Sequence, residues 1–366
     1  MASTLRKVPP RFVVKSVMGI RNALIRTAEQ IAPPQVTLFD HMSGIIKCMV
    51  TAEVARLKIA DLLVTGPKTV AELARETGTN EDALWRTLRG AASIGIFRLR
   101  EDDRFENNRL SEALRTEVFA SMRDLAEYFG TKSNLGAWAD VPETLRTGKN
   151  GFERVYGKSV WDYFTEHPHE GETFARAMTN LTEFDASAIA TGYPFGELGT
   201  ICDVAGGRGT LLANVLAVHT SVKGILFDAQ YVLDHAPAYL QARGVEERVE
   251  SVAGNFFARE IPKGADAYVL KDILHDWDDE RSLAILKNVR AAMERGKRLL
   301  IVELLVERKS TELPGPLVDL HMMTVCCEGR QRSPEDFKNL LEKAGFRFGR
   351  VVPLSMPTSI VEAFAV

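Results

Sequence analysis

A glycine-rich turn, and a carboxylate that follows it along the chain, are the first residues in the sequence that could bind a ligand. The turn spans residues 203–209 and directly follows an apolar run. Glycines let the backbone come close to a nucleotide-like ligand, and the N–H groups at the start of the next helix can face it. Asp228 stands nineteen residues beyond Gly209, at the end of the next predicted strand. A carboxylate there can accept hydrogen bonds from both hydroxyls of a ribose.

The same turn does not fit the fingerprint of a dinucleotide site. A GxGxxG pattern that begins at Gly207 requires a glycine at position 212, where the sequence has Leu212. A tight strand-to-helix turn without a ligand is an alternative explanation of the glycines. The position of Asp228 favours a nucleoside ligand over that alternative.

A histidine and a glutamate follow two other predicted strands and could do acid–base chemistry. His275 lies in the segment 271–279, after the predicted strand 267–270, and Glu303 ends the predicted strand 298–302. Because ligands of open α/β sheets bind at the carboxyl ends of the strands, we expect both side chains on one rim. Glu303 could accept a hydrogen bond from the imidazole and stabilise its cationic form. A structural histidine and a solvated carboxylate are the alternatives.

The elements that position these residues follow from the hydrophobic pattern. Short apolar runs alternate with helical stretches in the C-terminal half, which predicts a mainly parallel sheet covered by helices. Two final strands, 347–352 and 360–364, are close enough in sequence to form an antiparallel pair. Ser333, Pro334 and Asp336 mark the start of the helix before them. The remaining predicted strands of this sheet are 201–204, 224–227 and 249–252.

The N-terminal half is helical and divides into three predicted regions. Residues 1–36 form a basic amphipathic arm, 37–112 a winged-helix-like region, and 113–190 a helical substrate-binding or linker region; the sheet domain then covers 191–366. Within the second region, residues 37–63 are predicted helical, Thr69 and Glu72 form a capping box, and strands 96–99 and 104–107 form a hairpin. The arm could pack on a partner subunit, lie on a membrane surface, or be a transit peptide.

Composition restricts the class of protein. The 366 residues are 45% hydrophobic and 26% charged with a net charge of −3, which disfavours a nucleic-acid partner on bulk charge. We expect no stable membrane insertion, because no run of about 18 apolar residues occurs. The chain has four cysteines, which are Cys48, Cys202, Cys326 and Cys327. They form no CxxC pair and predict neither a zinc site nor disulfides. This pattern favours a reducing, cytoplasmic location.

Taken together and in this order, these motifs resemble the small-molecule O-methyltransferases of plants and bacteria, of the caffeate and hydroxyindole type. The N-terminal motifs 57–63, 66–69 and 84–89 are similar to that family as well. The resemblance implies an α/β fold with a Rossmann-like methyltransferase sheet and a C-terminal antiparallel pair, behind an N-terminal winged-helix-like dimerisation domain. It also implies a homodimer, S-adenosylmethionine as cofactor, no metal, and a hydroxyl of an aromatic or polyketide-like small molecule as acceptor.

The resemblance further implies roles for individual residues. Asp228 would hold the ribose, and His275 would be the general base, oriented by Glu303. The backbone or side chains of five residues would lie around the rest of the cofactor: Ala205, Gly207, Asn255, Phe256 and Lys271. Four residues would line the acceptor pocket, or alternatively belong to the core: Phe164, Phe174, Met178 and Met322.

Three positions depart from the family pattern. Ala205 replaces a glycine, Asn255 replaces an aspartate, and Gln331 stands where a second glutamate beside the histidine is common. Gln331 removes a charge that would favour the imidazolium. Two alternative functions remain open. The protein could be a relative that binds the cofactor for other chemistry, or it could be a winged-helix transcription regulator. The predicted recognition helix 80–93 is neutral in charge, which fits packing on a second subunit better than binding DNA.

Overall fold

The computed structural model describes residues 9–366 and divides into two compact units. The N-terminal unit comprises Val17–Gly136 and Phe164–Phe184, and the sheet unit comprises Ala137–Tyr163 and Asp185–Val366 together with residues 9–16. The region predicted as a single helical segment, 113–190, is therefore shared between the two units. Residues 1–8 of the predicted arm lie outside the described residues.

The helices and strands have the following bounds. The helices are α1 (Arg11–Ile31), α2 (Pro34–Met42), α3 (Gly44–Arg56), α4 (Ile59–Leu62), α5 (Val70–Thr77), α6 (Glu81–Ser93), α7 (Arg109–Glu112), α8 (Arg123–Phe129), α9 (Lys132–Ala139), α10 (Val141–Thr147), α11 (Gly151–Tyr156), α12 (Val160–Glu166), α13 (Pro168–Gly192), α14 (Thr210–Val218), α15 (Gln230–Leu233), α16 (Ala236–Ala242), α17 (Asp279–Ala292), α18 (Gly315–Val325) and α19 (Pro334–Lys343). The strands are β1 (Lys68–Thr69), β2 (Arg98–Leu99), β3 (Arg104–Glu106), β4 (Thr200–Val204), β5 (Lys223–Asp228), β6 (Val249–Ala253), β7 (Ala267–Lys271), β8 (Arg298–Glu303), β9 (Phe346–Pro353) and β10 (Ser359–Ala365).

The N-terminal unit packs α3 to α6 and a small antiparallel sheet around one apolar core. Thr69 and Glu72 form the predicted capping box at the start of α5, where the Thr69 N–H donates to Glu72 Oε2 over 2.7 Å. The stretch predicted as continuous helix, 37–63, is interrupted at Ser43 and at Lys58. Lys58 has a φ of 53°, a left-handed conformation that ends α3 and turns the chain into α4.

The sheet unit contains seven strands in the order β6-β5-β4-β7-β8-β10-β9. Strands β4 to β8 are mutually parallel, whereas β10 runs antiparallel to both β8 and β9. The predicted α/β sheet with a C-terminal antiparallel pair is thus confirmed. Two clusters of buried apolar residues surround the sheet. The strand order reverses direction at β4, and a crevice for ligands is expected where that reversal meets the carboxyl ends of β4 and β7.

Within residues 9–366, the structure contains no helix that is both long and apolar enough to cross a membrane. The same residues include no group of His, Cys, Asp and Glu side chains arranged to hold a metal ion.

Candidate active site

The glycine turn connects β4 to α14 through three left-handed residues. Ala205, Gly207 and Gly209 have φ values of 58°, 62° and 78°. Ala205 adopts this conformation without being a glycine, and its N–H donates to the Phe227 carbonyl over 2.7 Å. Gly206 is needed for a steric reason, because a Cβ there would lie 2.6 Å from Asp203 and from Leu226. The turn is therefore held tightly against the ends of β4 and β5.

Asp228 ends β5 and closes the turn. Its carboxylate accepts hydrogen bonds from the Gly207 N–H over 2.8 Å and from the Ala229 N–H over 2.7 Å. A carboxylate offers about four acceptor positions, so two remain for a ligand such as the two hydroxyls of a ribose. Burial raises the pKa of Asp228 to about 6. The structure thus places Asp228 at the carboxyl end of β5 beside the glycine turn, and its contact with a ribose stays a prediction.

Asp203 begins the predicted turn 203–209, but no role for its side chain was predicted from the sequence. It is 2% exposed, and its Oδ2 has no hydrogen-bond partner among the described residues. Burial raises the pKa of Asp203 to about 7. A buried carboxyl oxygen without a partner is costly, and a ligand that brings a donor or a positive charge relieves that cost. Asp203 and Asp228 together fit a nucleoside cofactor that carries positive charge.

Lys271 lies among carboxylates, at the end of β7. Its side chain is 8% exposed; it pairs directly with Asp272, and its Nζ lies 3.8 Å from Asp185 Oδ2. Burial disfavours the charged lysine, but Asp185 and Asp272 outweigh burial and raise the pKa of Lys271. Asp272 has a left-handed φ of 52°, which brings its carboxylate back towards the lysine. The ammonium is therefore engaged by the protein, and its predicted cofactor contact stays a prediction.

Asn255 and Phe256 follow β6 on the same edge of the sheet. The Asn255 Oδ1 accepts from the Phe257 N–H over 2.8 Å, so the amide that replaces the family's aspartate is used within its own turn. Phe256 and Phe257 both pack against Trp277, with ring centroids 6.1 Å and 4.8 Å away. An aromatic cluster therefore lies beside the turn of Asn255, and the predicted adenine contact stays a prediction.

His275 lies in a 3₁₀ turn, Leu274–Asp276, that follows β7, and its side chain is 14% exposed. The ring was expected to donate a hydrogen bond to Glu303, and its contacts in the structure differ from that expectation. Glu303 Oε1 accepts a hydrogen bond from the His275 backbone N–H over 3.1 Å, while the ring Nδ1 lies 2.9 Å from Gln331 Nε2. The ring Nε2 lies 3.5 Å from Asp276 Oδ1. Burial lowers the pKa of His275. Glu303 thus orients the turn, and Gln331 orients the ring.

Glu303 itself is fully buried at the end of β8, and its Oε2 has no hydrogen-bond partner among the described residues. Burial raises the pKa of Glu303 to about 8, although the nearby Arg332 opposes this. Burial therefore favours the neutral form of this carboxyl. A neutral Glu303 does not provide the negative charge that was expected to stabilise the imidazolium.

The segment 328–332 fixes the turn of His275 from the other side. Arg330 N–H donates to the His275 carbonyl over 2.8 Å, and the fully buried Arg332 donates to the carbonyls of Leu274 and Trp277 over 2.6 Å and 2.8 Å. Arg332 also pairs with Asp279, 2.8 Å away. These bonds join residues more than 50 positions apart, so sequence reasoning missed them.

The four residues predicted for the acceptor pocket lie in different units. In the N-terminal unit, Phe164 and Phe174 stack with ring centroids 5.1 Å apart, and Met178 lies one turn further along α13. In the sheet unit, Met322 is 7% exposed on α18. Their role in binding an acceptor stays a prediction.

A sheet of this order, with a glycine turn after β4 and a ribose-type carboxylate after β5, defines the class of S-adenosylmethionine-dependent methyltransferases. Comparison with known proteins agrees with that class. A family model described as the O-methyltransferase domain matches residues 138–347, and one described as the O-methyltransferase dimerisation domain matches residues 39–117. The chain belongs to this O-methyltransferase family.

Individual relatives match over most of their length. The chain is 39% identical to a phenazine O-methyltransferase of Lysobacter antibioticus, over 84% of this chain and 90% of the relative. It is 34% identical to a mitomycin biosynthesis 6-O-methyltransferase of Streptomyces lavendulae, over 90% and 95%. A solved O-methyltransferase of neocarzinostatin biosynthesis, in complex with S-adenosylmethionine and a hydroxy-methyl naphthoic acid, superposes with a TM-score of 0.76 at 30% identity, over 87% and 96%.

Proposed function

We propose that this enzyme transfers the methyl group of S-adenosylmethionine to a hydroxyl of an aromatic or polyketide-like small molecule, with His275 as the general base. The observation that carries the proposal is the position of His275, buried at the carboxyl end of β7 on the rim that also bears Asp203 and Asp228. The relatives named above act on phenazine and mitomycin compounds, which supports an acceptor of that kind. The alternative functions, non-methylating chemistry and DNA binding, are not favoured.

The cofactor supplies an electrophilic methyl group on a sulfonium when it is bound. The chain then has two tasks, which are to align the acceptor and to receive its proton. Alignment of reacting groups supplies about 7–11 kcal/mol of barrier reduction, and general-base help adds roughly 10²–10⁴-fold. A histidine near pKa 6.5 is a weaker base than an ordinary phenolate near 10, so His275 takes the proton as the methyl bond forms.

Two measurements test this proposal. Calorimetric titration with S-adenosylmethionine, with a nicotinamide dinucleotide as control, is expected to give saturable binding of one cofactor per chain. The His275→Ala variant should bind the cofactor as the wild type does but lose roughly 10²–10⁴-fold in kcat on 2-naphthol. His235→Ala, at an exposed histidine of the same unit, is the matched control. A fully active His275→Ala variant would contradict the role of base.

We also propose that the chain is a homodimer in the cytoplasm, with a winged-helix-like N-terminal region. The match to a dimerisation domain supports the dimer, and the four free cysteines fit a reducing compartment. The predicted arm contributes exposed apolar side chains along α1, which a second subunit would cover: Phe12, Val17, Ile20 and Leu24. Light scattering on a variant that lacks residues 1–36 tests the arm, and an unchanged dimer would remove it from the interface.

A further inference from the structure

His275 is held by a neutral side chain rather than by an acid. Gln331 is 6% exposed and lies in the irregular segment before α19, where its backbone N–H donates to Asp319 Oδ1 over 2.7 Å and fixes its position. Its Nε2 lies 2.9 Å from His275 Nδ1, and its Oε1 has no hydrogen-bond partner among the described residues. Both orientations of the amide can bond the ring, one as donor and one as acceptor. Neither orientation brings a charge.

The other charged groups around the ring do not replace the missing charge. Burial raises the pKa of Glu303 to about 8 and raises that of Asp276 well above its ordinary range, so burial disfavours the negative form of both carboxyls. Burial opposes the charge of Asp272, but the pairing with Lys271 outweighs burial and lowers the pKa of Asp272. The charged and titratable side chains around the His275 ring come from several neighbouring elements. They are Lys271, Asp272, Asp276, Glu303, His321 and Arg332.

We propose that Gln331 keeps His275 a weak proton acceptor and thereby restricts the enzyme to hydroxyls that are more acidic than an ordinary phenol. Such hydroxyls are conjugated to a carbonyl group or attached to an electron-poor aromatic or heteroaromatic ring. The inference rests on the proposed function and specifies its substrate class. Gln331 is a positioning residue in this scheme, since it acts through His275.

The acidity of the acceptor matters because it sets how much help from a base is needed. A phenol near pKa 10 is ionised to about one part in a thousand at pH 7, so its reaction depends on proton removal. A hydroxyl with a pKa near 7 is about half ionised and reacts with little assistance. A carboxylate beside an imidazole favours the charged ring by roughly 1–3 pKa units, and the amide of Gln331 withholds that gain.

The experiment uses near-isosteric fluorinated 2-naphthols, whose hydroxyl becomes more acidic as fluorine is added. For the wild type at fixed pH, we expect kcat/KM to rise with the acidity of the hydroxyl. The fold-loss in kcat/KM caused by His275→Ala should become smaller as the hydroxyl becomes more acidic. In Gln331→Glu, the least acidic naphthol should gain at least about tenfold, and the acid limb of its kcat/KM profile should move to higher pH by roughly 1–3 units. Gln241→Glu adds the same charge at an exposed position and should change neither quantity.

The outcomes are distinguishable. A wild-type rate that does not depend on acidity, or a folded Gln331→Glu variant with an unchanged pH profile, overturns the role of Gln331 while the proposed function stands. Cofactor binding with no methylation of any naphthol overturns the proposed function instead. If Gln331→Glu does not fold, the neutral Gln331→Leu variant decides. It should keep most activity on the most acidic naphthol, and an equal loss on every member of the series would contradict the inference.

Discussion

A single methyl group at Gly329 should displace the turn that carries His275. A Cβ built at this position would overlap the His275 carbonyl oxygen and would lie 2.8 Å from the carbonyl carbon of Asp276. Ordinary contacts begin at 3.4 Å, and the nearer contact, with the His275 carbonyl oxygen, sets the displacement, so the two backbones have to separate by about 1 Å. Both obstacles are backbone atoms, and neither can rotate away as a side chain could.

The expected losses in rate and stability follow from the role of this turn, which positions His275. A misplacement of about 1 Å in an active site can cost on the order of 10²-fold in rate, and overpacking costs about 1–3 kcal/mol of stability. We therefore expect Gly329→Ala to lose roughly 10- to 100-fold in kcat, with a lower melting temperature. Its affinity for S-adenosylmethionine should be unchanged, because the glycine turn and Asp228 are at other strand ends.

The assay combines methyl transfer to the most acidic of the fluorinated 2-naphthols with calorimetric titration of the cofactor and thermal unfolding. Gly44→Ala is the matched control, because a Cβ there has no atom within 4 Å and the residue has no positive φ. It should leave kcat unchanged and keep or raise the melting temperature. A folded Gly329→Ala enzyme with kcat within twofold of the wild type would refute the reasoning.

Three further substitutions test other parts of the site. Asp228→Ala removes the acceptor of two N–H groups and should weaken cofactor binding by about 1.5–3 kcal/mol in calorimetry; unchanged affinity would exclude the ribose role. Arg332→Met removes the guanidinium that donates to Asp279 and to the carbonyls of Leu274 and Trp277, although both carbonyls still accept from the Ser282 hydroxyl, 3.3 Å from each. The substitution should destabilise the fold by about 1–3 kcal/mol in denaturant titration, whereas a cost below about 0.5 kcal/mol would show that this hydroxyl and water replace the guanidinium. Glu303 has its folded pKa raised above the unfolded value, so the folded state binds the proton more tightly and the stability from Glu303 is lost as pH rises from about 4.5 to about 8. Glu303→Gln should therefore flatten the decline of melting temperature between pH 5 and 8, and an unaltered slope would contradict the raised pKa.

Much of the sheet could be predicted from the sequence because each strand carries a local signal. The predicted strands 201–204 and 298–302 differ from β4 and β8 by one residue at one end, since continuous apolar runs bounded by polar residues mark buried strands. The N-terminus of α19 was predicted from Ser333 and Asp336, which form the capping box observed in the structure. Asp228 followed from the same reasoning, because its position depends on one strand end and one turn.

The contacts around His275 could not be predicted from local patterns. Gln331 reaches the ring from 56 residues away, and Arg332 reaches the same turn, only because the segment 328–332 packs there. Glu303 was expected at the ring, but its distance to the backbone N–H depends on how β7 and β8 are aligned. The pairing of Lys271 with Asp272 depends on a left-handed backbone conformation that no spacing reveals.

The position of β10 has a consequence for synthesis on the ribosome. Strand β9 is made before β10, yet among residues 9–366 its one partner strand is β10, which in turn pairs with β8. While the chain emerges, β8 therefore keeps an unpaired edge until Ser359 and the residues after it are available. At roughly 5–20 residues per second, this edge stays open for about 3–11 s after Glu303 has been translated. During that interval the nascent chain exposes a hydrophobic strand of the kind that chaperones bind, and the rim that bears His275 and Glu303 is completed late in translation.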